Sequence, residues 1–164
     1  VGLLRTIPGV GELGAEVIVS EIGTDMGRFP TAGHLVSWAG LCPRNDESAG
    51  KRRSNRLRKG DPWLKTVLIQ CAWAARRKKG SCLAALYFRL AQRRGPKKAI
   101  CAVAASMLTA IYHMLARQTP YREATSGPPD PAKAQVRANR LAAQIAKLGF
   151  DCTLVPRDAI AVSV

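Results

Sequence analysis

The sequence predicts an all-α fold: a compact helical domain interrupted by one long basic loop. Three observations predict it. Apolar residues recur at three- and four-residue spacing through successive stretches, each bounded by glycine or by a capping residue followed by proline. The 164 residues fit one domain, and 47% hydrophobic side chains are enough for a real core. Between Gly40 and Lys65 the pattern breaks into a run holding eight Lys and Arg, whose mutual repulsion opposes burial and calls for an anionic partner.

Taken in order, Leu3 to Gly23 reads LLRTIPGVGELGAEVIVSEIG. A tight Pro8-Gly9-Val10-Gly11 turn leads into Leu13, Val17, Ile18 and Ile22 at helical spacing, with Gly23 as the stop. Gly9 and Gly11 let the backbone turn sharply and leave amide N–H groups open at a helix start, a good seat for a phosphate. This resembles the helix-hairpin-helix motif, which grips nucleic-acid backbone; a plain αα-hairpin that packs the core is the equally open reading. Thr31 caps a short helix to Trp38, with Leu35 and Trp38 on one side and Gly40 after it. His34 in that helix pairs with nothing the sequence identifies.

The basic loop follows. It places Ser48 beside Ala49-Gly50, with Arg44 before it and Lys51, Arg52, Arg53, Arg56, Arg58, Lys59 and Lys65 after it. Asp61 then Pro62 start a helix with an apolar stripe of Leu64, Val67, Leu68, Cys71 and Ala75. A further helix runs from Cys82 to Arg94. The longest opens at Pro96 and reaches about Arg117, its face formed by Ile100, Val103, Met107, Leu108 and Ile111. Residues 119–131, rich in turn formers, read as a linker after a domain at 1–118. Beyond it an amphipathic helix spans Ala132 to Leu148, and Phe150 to Val155 is a possible short strand.

The formal charge of +15, from 26 Lys and Arg against 11 Asp and Glu, points to a nucleic-acid partner. At 5% aromatic residues, backbone contact is the expected mode over base stacking. Five cysteines, scattered without C-x-x-C and without histidines at ligand spacing, fit reduced thiols and no metal site. No apolar run approaches the roughly 18 residues of a membrane span, and a signal-peptide pattern is missing. These points give a cytoplasmic, nucleoid-associated protein with no membrane partner. The chain begins Val-Gly-Leu-Leu with its first motif immediately behind, as expected for a piece of a longer protein.

Assembled in this order, the motifs resemble the C-terminal domain of the insertion-sequence 110, 116 and 1111 group of transposases. The matching residues are IPGVG at 7–11, EIG at 21–23, RFP at 28–30, HLVSWAGLCPRNDESAGKRR at 34–53 and RLRKGDPWLK at 56–65. The match continues through the helix at 99–115 and the terminal LAAQIAKLGFDCTL, so it covers nearly the whole chain. The resemblance implies a DNA recombinase whose C-terminal domain supplies a serine nucleophile, which falls on Ser48. It implies acidic ligands for Mg2+ in an N-terminal domain that this chain lacks, so that the chain alone is catalytically incomplete. It further implies DNA as partner, a non-coding guide RNA in several members, and a homo-oligomer on DNA.

Chemically, a serine attacking a phosphodiester needs cations on the phosphoryl oxygens, a role suited to the guanidinium forks of Arg52, Arg53, Arg56 and Arg58. The sequence identifies no base. Physics alone reads Ser48 as a solvated loop serine; the resemblance reverses that, with Ser54 as the second candidate. The alternative function is a helix-hairpin-helix module that binds DNA or RNA without chemistry. A third reading is an RNA scaffold.

Overall fold

The computed structural model describes residues 1–43, 46–54, 56, 57, 59–123 and 131–154, and their side chains except at 46–48, 52–54, 131, 133 and 134. Arg44 and Arg58 of the basic run lie outside the described residues, as do 124–130 of the expected linker and Val155. The chain divides into two compact units, Val1–Ala124 and Thr125–Val164.

The first unit opens with a 3-10 turn at Leu4–Thr6. It continues through α1 (Glu12–Ile22), a second such turn at Met26–Arg28, α2 (Ala32–Trp38), β1 (Asp46–Ser48), β2 (Lys51–Ser54), α3 (Pro62–Ala75), α4 (Cys82–Arg94) and α5 (Pro96–Arg117). The fold is helical as the periodicity predicts, with one exception. The basic segment, expected as a loop, contains a two-stranded antiparallel hairpin.

Helix α5 is the centre of the unit, packing against α2, α3 and α4, while α1 lies on α3. Val103, Met107, Leu108 and Ile111 of α5 are fully buried, and meet Leu35 of α2 and Leu64 and Leu68 of α3 in one continuous core. This same helix corrects the expectation that no apolar run is long enough for a membrane. Pro96–Arg117 contains an 18-residue window of mean hydropathy 1.8. The apolar content follows from its place: a helix flanked by three others is hydrophobic over most of its circumference.

Asp61 caps α3 as the sequence predicts, its Oδ1 accepting from the N–H groups of Trp63 at 2.7 Å and Leu64 at 3.1 Å. Thr31 caps α2 through the His34 N–H, and its hydroxyl also sits 2.8 Å from Nδ1 of the same histidine, a pairing the sequence did not reveal. Two apolar assignments change. Leu13 is 78% exposed, because the buried face of α1 is Ala15, Ile18 and Ile22 and a residue five positions before Ile18 lies about 140° around the helix. Trp38 is exposed and rests on Phe29 with ring centres 5.8 Å apart, while Leu35 and Val36 turn inward.

After α5, residues 119–123 fasten onto the first unit. The Tyr121 N–H donates to Thr6 Oγ1 at 2.9 Å, and the Glu123 carboxylate accepts from the Cys82 N–H at the start of α4 at 2.7 Å. The cysteines are free thiols; Cys71 is buried and Cys152 exposed. In the second unit α6 (Pro131–Ala146) carries Val136, Leu141 and Ile145 exposed. Residues 150–154 form no strand, which corrects that expectation: among the described residues they have no partner strand to complete a ladder.

Candidate nucleic-acid interface

The hairpin is a product of its turn. Ala49 at φ 51° and Gly50 at φ 71° both occupy the left-handed region, as a two-residue type I′ connection requires. That turn sets the register: Ser48 pairs with Lys51, Glu47 with Arg52 and Asp46 with Ser54, with a bulge where β2 carries one extra residue. Ser48 is therefore the last residue of β1, at the tip. Ser54, its competitor, lies at the stem end of the ladder, about 10 Å away at the rise of a strand.

The stem continues through a bridge between Pro43 and Leu57. Both ends of this arm are held by the helical body. At the incoming end Leu41 is buried and its N–H donates to the Val36 carbonyl at 3.1 Å. At the outgoing end Gly60 lies so close to the α2 terminus that a Cβ there would collide with the backbone of Ala39 and Gly40. Asp61 then caps α3 immediately behind it. Glu21, at the end of α1, lies beside Asp61. Its hydrogen bond with Asp61, together with burial and the neighbouring charge, pushes the Glu21 carboxyl up. Burial opposes ionisation of Asp61, but the Leu64 N–H, Glu21 and the Trp63 N–H outweigh it and hold that carboxyl below its usual range.

Of the predicted cationic residues, Lys51, Arg52 and Arg53 lie in β2. Arg56 and Lys59 are exposed along the outgoing stem, and Lys65 is half-buried in the first turns of α3. The structure adds cations the sequence reading missed. Beside the stem a groove of about 620 Å³ has an apolar floor including Leu41, Leu57 and Leu90, and its rim carries Arg93, Arg94, Lys97 and Lys98 of the α4–α5 corner. Burial pushes the thiol of Cys101 in the groove wall up, and the charge of Lys65 opposes that shift. Trp63 was missed as well: its side chain is 72% exposed at the start of α3. The sequence signal was partial: Trp63 lies about 100° around the helix from Leu64, toward the margin of the inward stripe.

Gly9 and Gly11 are not brought to the hairpin. Helix α1 runs antiparallel to α3, so its C-terminus meets Asp61 while its N-terminal turn meets the other end of α3. Gly9, at φ 85°, presses against that end, where a Cβ would collide with the Ala75 N–H group and the Cys71 carbonyl. Gly11 has open space where its side chain would be and starts α1 without a side-chain cap. Beside it Glu12 stands 3.8 Å from Arg5. Among the described residues no three His, Cys, Asp or Glu converge as metal ligands.

Known proteins are similar to this sequence. Residues 1–88 match the family described as Transposase IS116/IS110/IS902 family. The transposase for insertion sequence element IS1111A of Coxiella burnetii is 33% identical over 123 residues, covering 73% of this chain and 34% of the relative. An insertion element IS110 protein of 43.6 kDa from Streptomyces coelicolor is 37% identical over 73 residues, covering 44% of this chain and 18% of the relative. The chain spans about a third of the length of the curated relatives it matches over more than 120 residues. With more than half of its residues inside the family match, and with the cationic arm inside that half, the chain belongs to the IS116/IS110/IS902 transposase family.

Proposed function

We propose that this chain is the part of a transposase that grips DNA through the arm at 43–60 and offers Ser48 as the nucleophile in strand exchange. The observation that carries the reading is the hairpin: a tight turn puts Ser48 at the tip of a projecting ladder whose second strand is Lys51, Arg52 and Arg53. A nucleophile at the end of a short arm can reach a phosphodiester in a groove that the helical body would not enter. In the reaction Ser48 Oγ forms the new O–P bond, a deoxyribose oxygen leaves with the pair of the broken P–O bond, and the serine proton ends on that oxygen. Arg52 and Arg53 are placed by register within two residues of Ser48 to neutralise the phosphoryl oxygens.

The phosphodiester energy is kept in the serine ester for religation. Magnesium, if the reaction uses it, is held by residues other than these. Gly11 and the start of α1 give a second backbone grip of helix-hairpin-helix type, at the far end of α3. Guide RNA, a homo-oligomer on DNA and a cytoplasmic, nucleoid-associated setting belong to the same proposal.

The test is a covalent protein–DNA band on a denaturing gel, with the chain expressed together with the remainder of the length its relatives have. Ser48→Ala is expected to abolish the band and Ser54→Ala to keep it. A band that survives Ser48→Ala removes Ser48 from the chemistry. The second reading, a grip without chemistry, is favoured by the same cationic strand, which a backbone contact alone explains; it predicts that Ser48→Ala changes no activity.

A further inference from the structure

The corner between α3 and α4 carries Arg76, Arg77, Lys78 and Lys79 in succession. It lies at the end of α3 away from the arm, about 20 Å along the helix axis. Three aromatic rings are clustered there. Trp73 and Tyr87 have ring centres 5.8 Å apart, and Tyr87 and Phe88 meet edge to face at 5.3 Å. The Arg76 guanidinium sits 4.8 Å from the Trp73 ring centre and 5.0 Å from that of Tyr87, and donates to the Tyr87 hydroxyl at 3.2 Å.

Within this cluster Tyr87 is buried, whereas Trp73 is 38% and Phe88 57% exposed. Arg76 is thus spent on ordering the rings. Arg77 and Lys79 follow in the turn after α3 and face solvent. Rings fixed in place and left open, next to cations not needed to fix them, have the composition of a single-strand platform: π-faces for bases and charges for the phosphates between. At the arm end of α3 Trp63 is exposed by itself, with no ring contact among the described residues, whereas at this end three rings are packed together and held by Arg76.

We infer that the α3–α4 corner is a second nucleic-acid site, taking an unpaired DNA or RNA segment with bases on Trp73 and Phe88 and phosphates on Arg77 and Lys79, while the arm holds a separate segment. The inference deepens the reading of the chain as a nucleic-acid binder and assigns a different ligand form to a different end. The domain then bridges two strands.

The experiment titrates the whole chain with oligo-dT and oligo-U of about eight nucleotides, within the usual site size of a stacking platform. It follows tryptophan fluorescence, salt dependence and stoichiometry by native mass spectrometry. Trp73→Ala with Phe88→Ser is expected to weaken binding at the corner about 5- to 150-fold. Arg77→Gln with Lys79→Gln, at exposed positions that leave the core intact, is expected to make the log-log salt slope shallower by about 1.4. Either change lowers the stoichiometry from two strands per chain to one.

Lys51→Gln with Arg52→Gln and Arg53→Gln separates the two readings. If that variant keeps one strand per chain, with a fluorescence quench that adding Trp73→Phe removes, the corner binds independently. If the arm variant loses all binding while both corner variants match wild type, the inference is overturned and the arm's grip stands. If the arm variant changes nothing, the proposed grip fails and the corner remains. Preference for oligo-dT or oligo-U identifies the strand, binding of neither overturns the inference, and so does a Trp73/Phe88 variant that shifts self-association but not oligonucleotide binding.

Discussion

The helical body and the hairpin arm are held together by different physics. In the body, Leu68, Leu108 and Ile111 are fully buried and α5 touches three other helices. Stability there comes from apolar area removed from water and from close packing. The arm has Lys51, Arg52 and Arg53 where a packed strand would have valine or isoleucine, and its shape rests on a backbone ladder, a turn at Ala49-Gly50 and two anchors at its base. Sequence changes in the body's core therefore act on folding, whereas changes at the cationic residues of the arm leave that core intact.

The largest effect that breaks this comparison from the body's side is Leu108→Ala, expected to cost about 2–5 kcal/mol in thermal or urea unfolding. The salt slope of binding measured on the folded fraction should not change. Gly9→Ala is next, at about 3 kcal/mol, since the new methyl group both meets the backbone of α3 and takes up φ 85°. A Gly9→Ala chain as stable as wild type would mean that the turn does not press on α3.

Glu123→Gln tests how the 119–123 segment is tied to α4. Burial alone would raise the Glu123 carboxyl, but the Cys82 N–H, the Ser81 and Cys82 side chains and the charge of Lys78 outweigh it and hold the carboxyl low. A carboxyl whose folded pKa is below its unfolded value stabilises the fold above the unfolded value, and that stability is lost as pH falls through the folded one. Wild type should thus lose stability on acidification below about pH 4.5, the ordinary glutamate value, and Glu123→Gln should flatten that loss while costing about 1 kcal/mol at neutral pH.

Ala49→Gly should stabilise the hairpin locally by about 1 kcal/mol, because glycine adopts the left-handed turn without the Cβ clash. Slower hydrogen exchange at the 46–54 amides, with an unchanged melting temperature of the body, is the expected reading. Smallest in stability is Lys51→Gln with Arg52→Gln and Arg53→Gln, expected within about 0.5 kcal/mol of wild type. The same triple change should lower the salt slope on duplex DNA by about 2.7. A flat salt dependence in the wild type would remove the arm from DNA binding altogether.

Much of the body was legible in the sequence because its rules are local. Asp61-Pro62 announces a helix start whatever surrounds it, Gly95-Pro96 punctuates two helices, and the stripe from Ile100 to Ile111 names the face that must be covered. Leu13 was misassigned for a reason of the same kind: the six apolar residues of α1 fit more than one face, and only contact with the rest of the core chooses between them. The hairpin was illegible because its strands lack alternating apolar residues and its turn is Ala-Gly, where Asn-Gly or Asp-Gly would have signalled a type I′ connection.

The sequence by itself determined the helical class, the boundaries of α3 and α5, the Asp61 cap, the cationic run and the family it resembles, since each depends on neighbours along the chain. Tertiary structure alone decided that Ser48 and Ser54 stand at opposite ends of a ladder. It also carried Gly9 and Gly11 to the far end of α3 from the arm, and left the rings of Trp73 and Phe88 open beside Arg77. Those placements depend on the antiparallel packing of α1 on α3 and of α4 on α5, which is set by contacts between residues distant in the chain, and no local spacing encodes them.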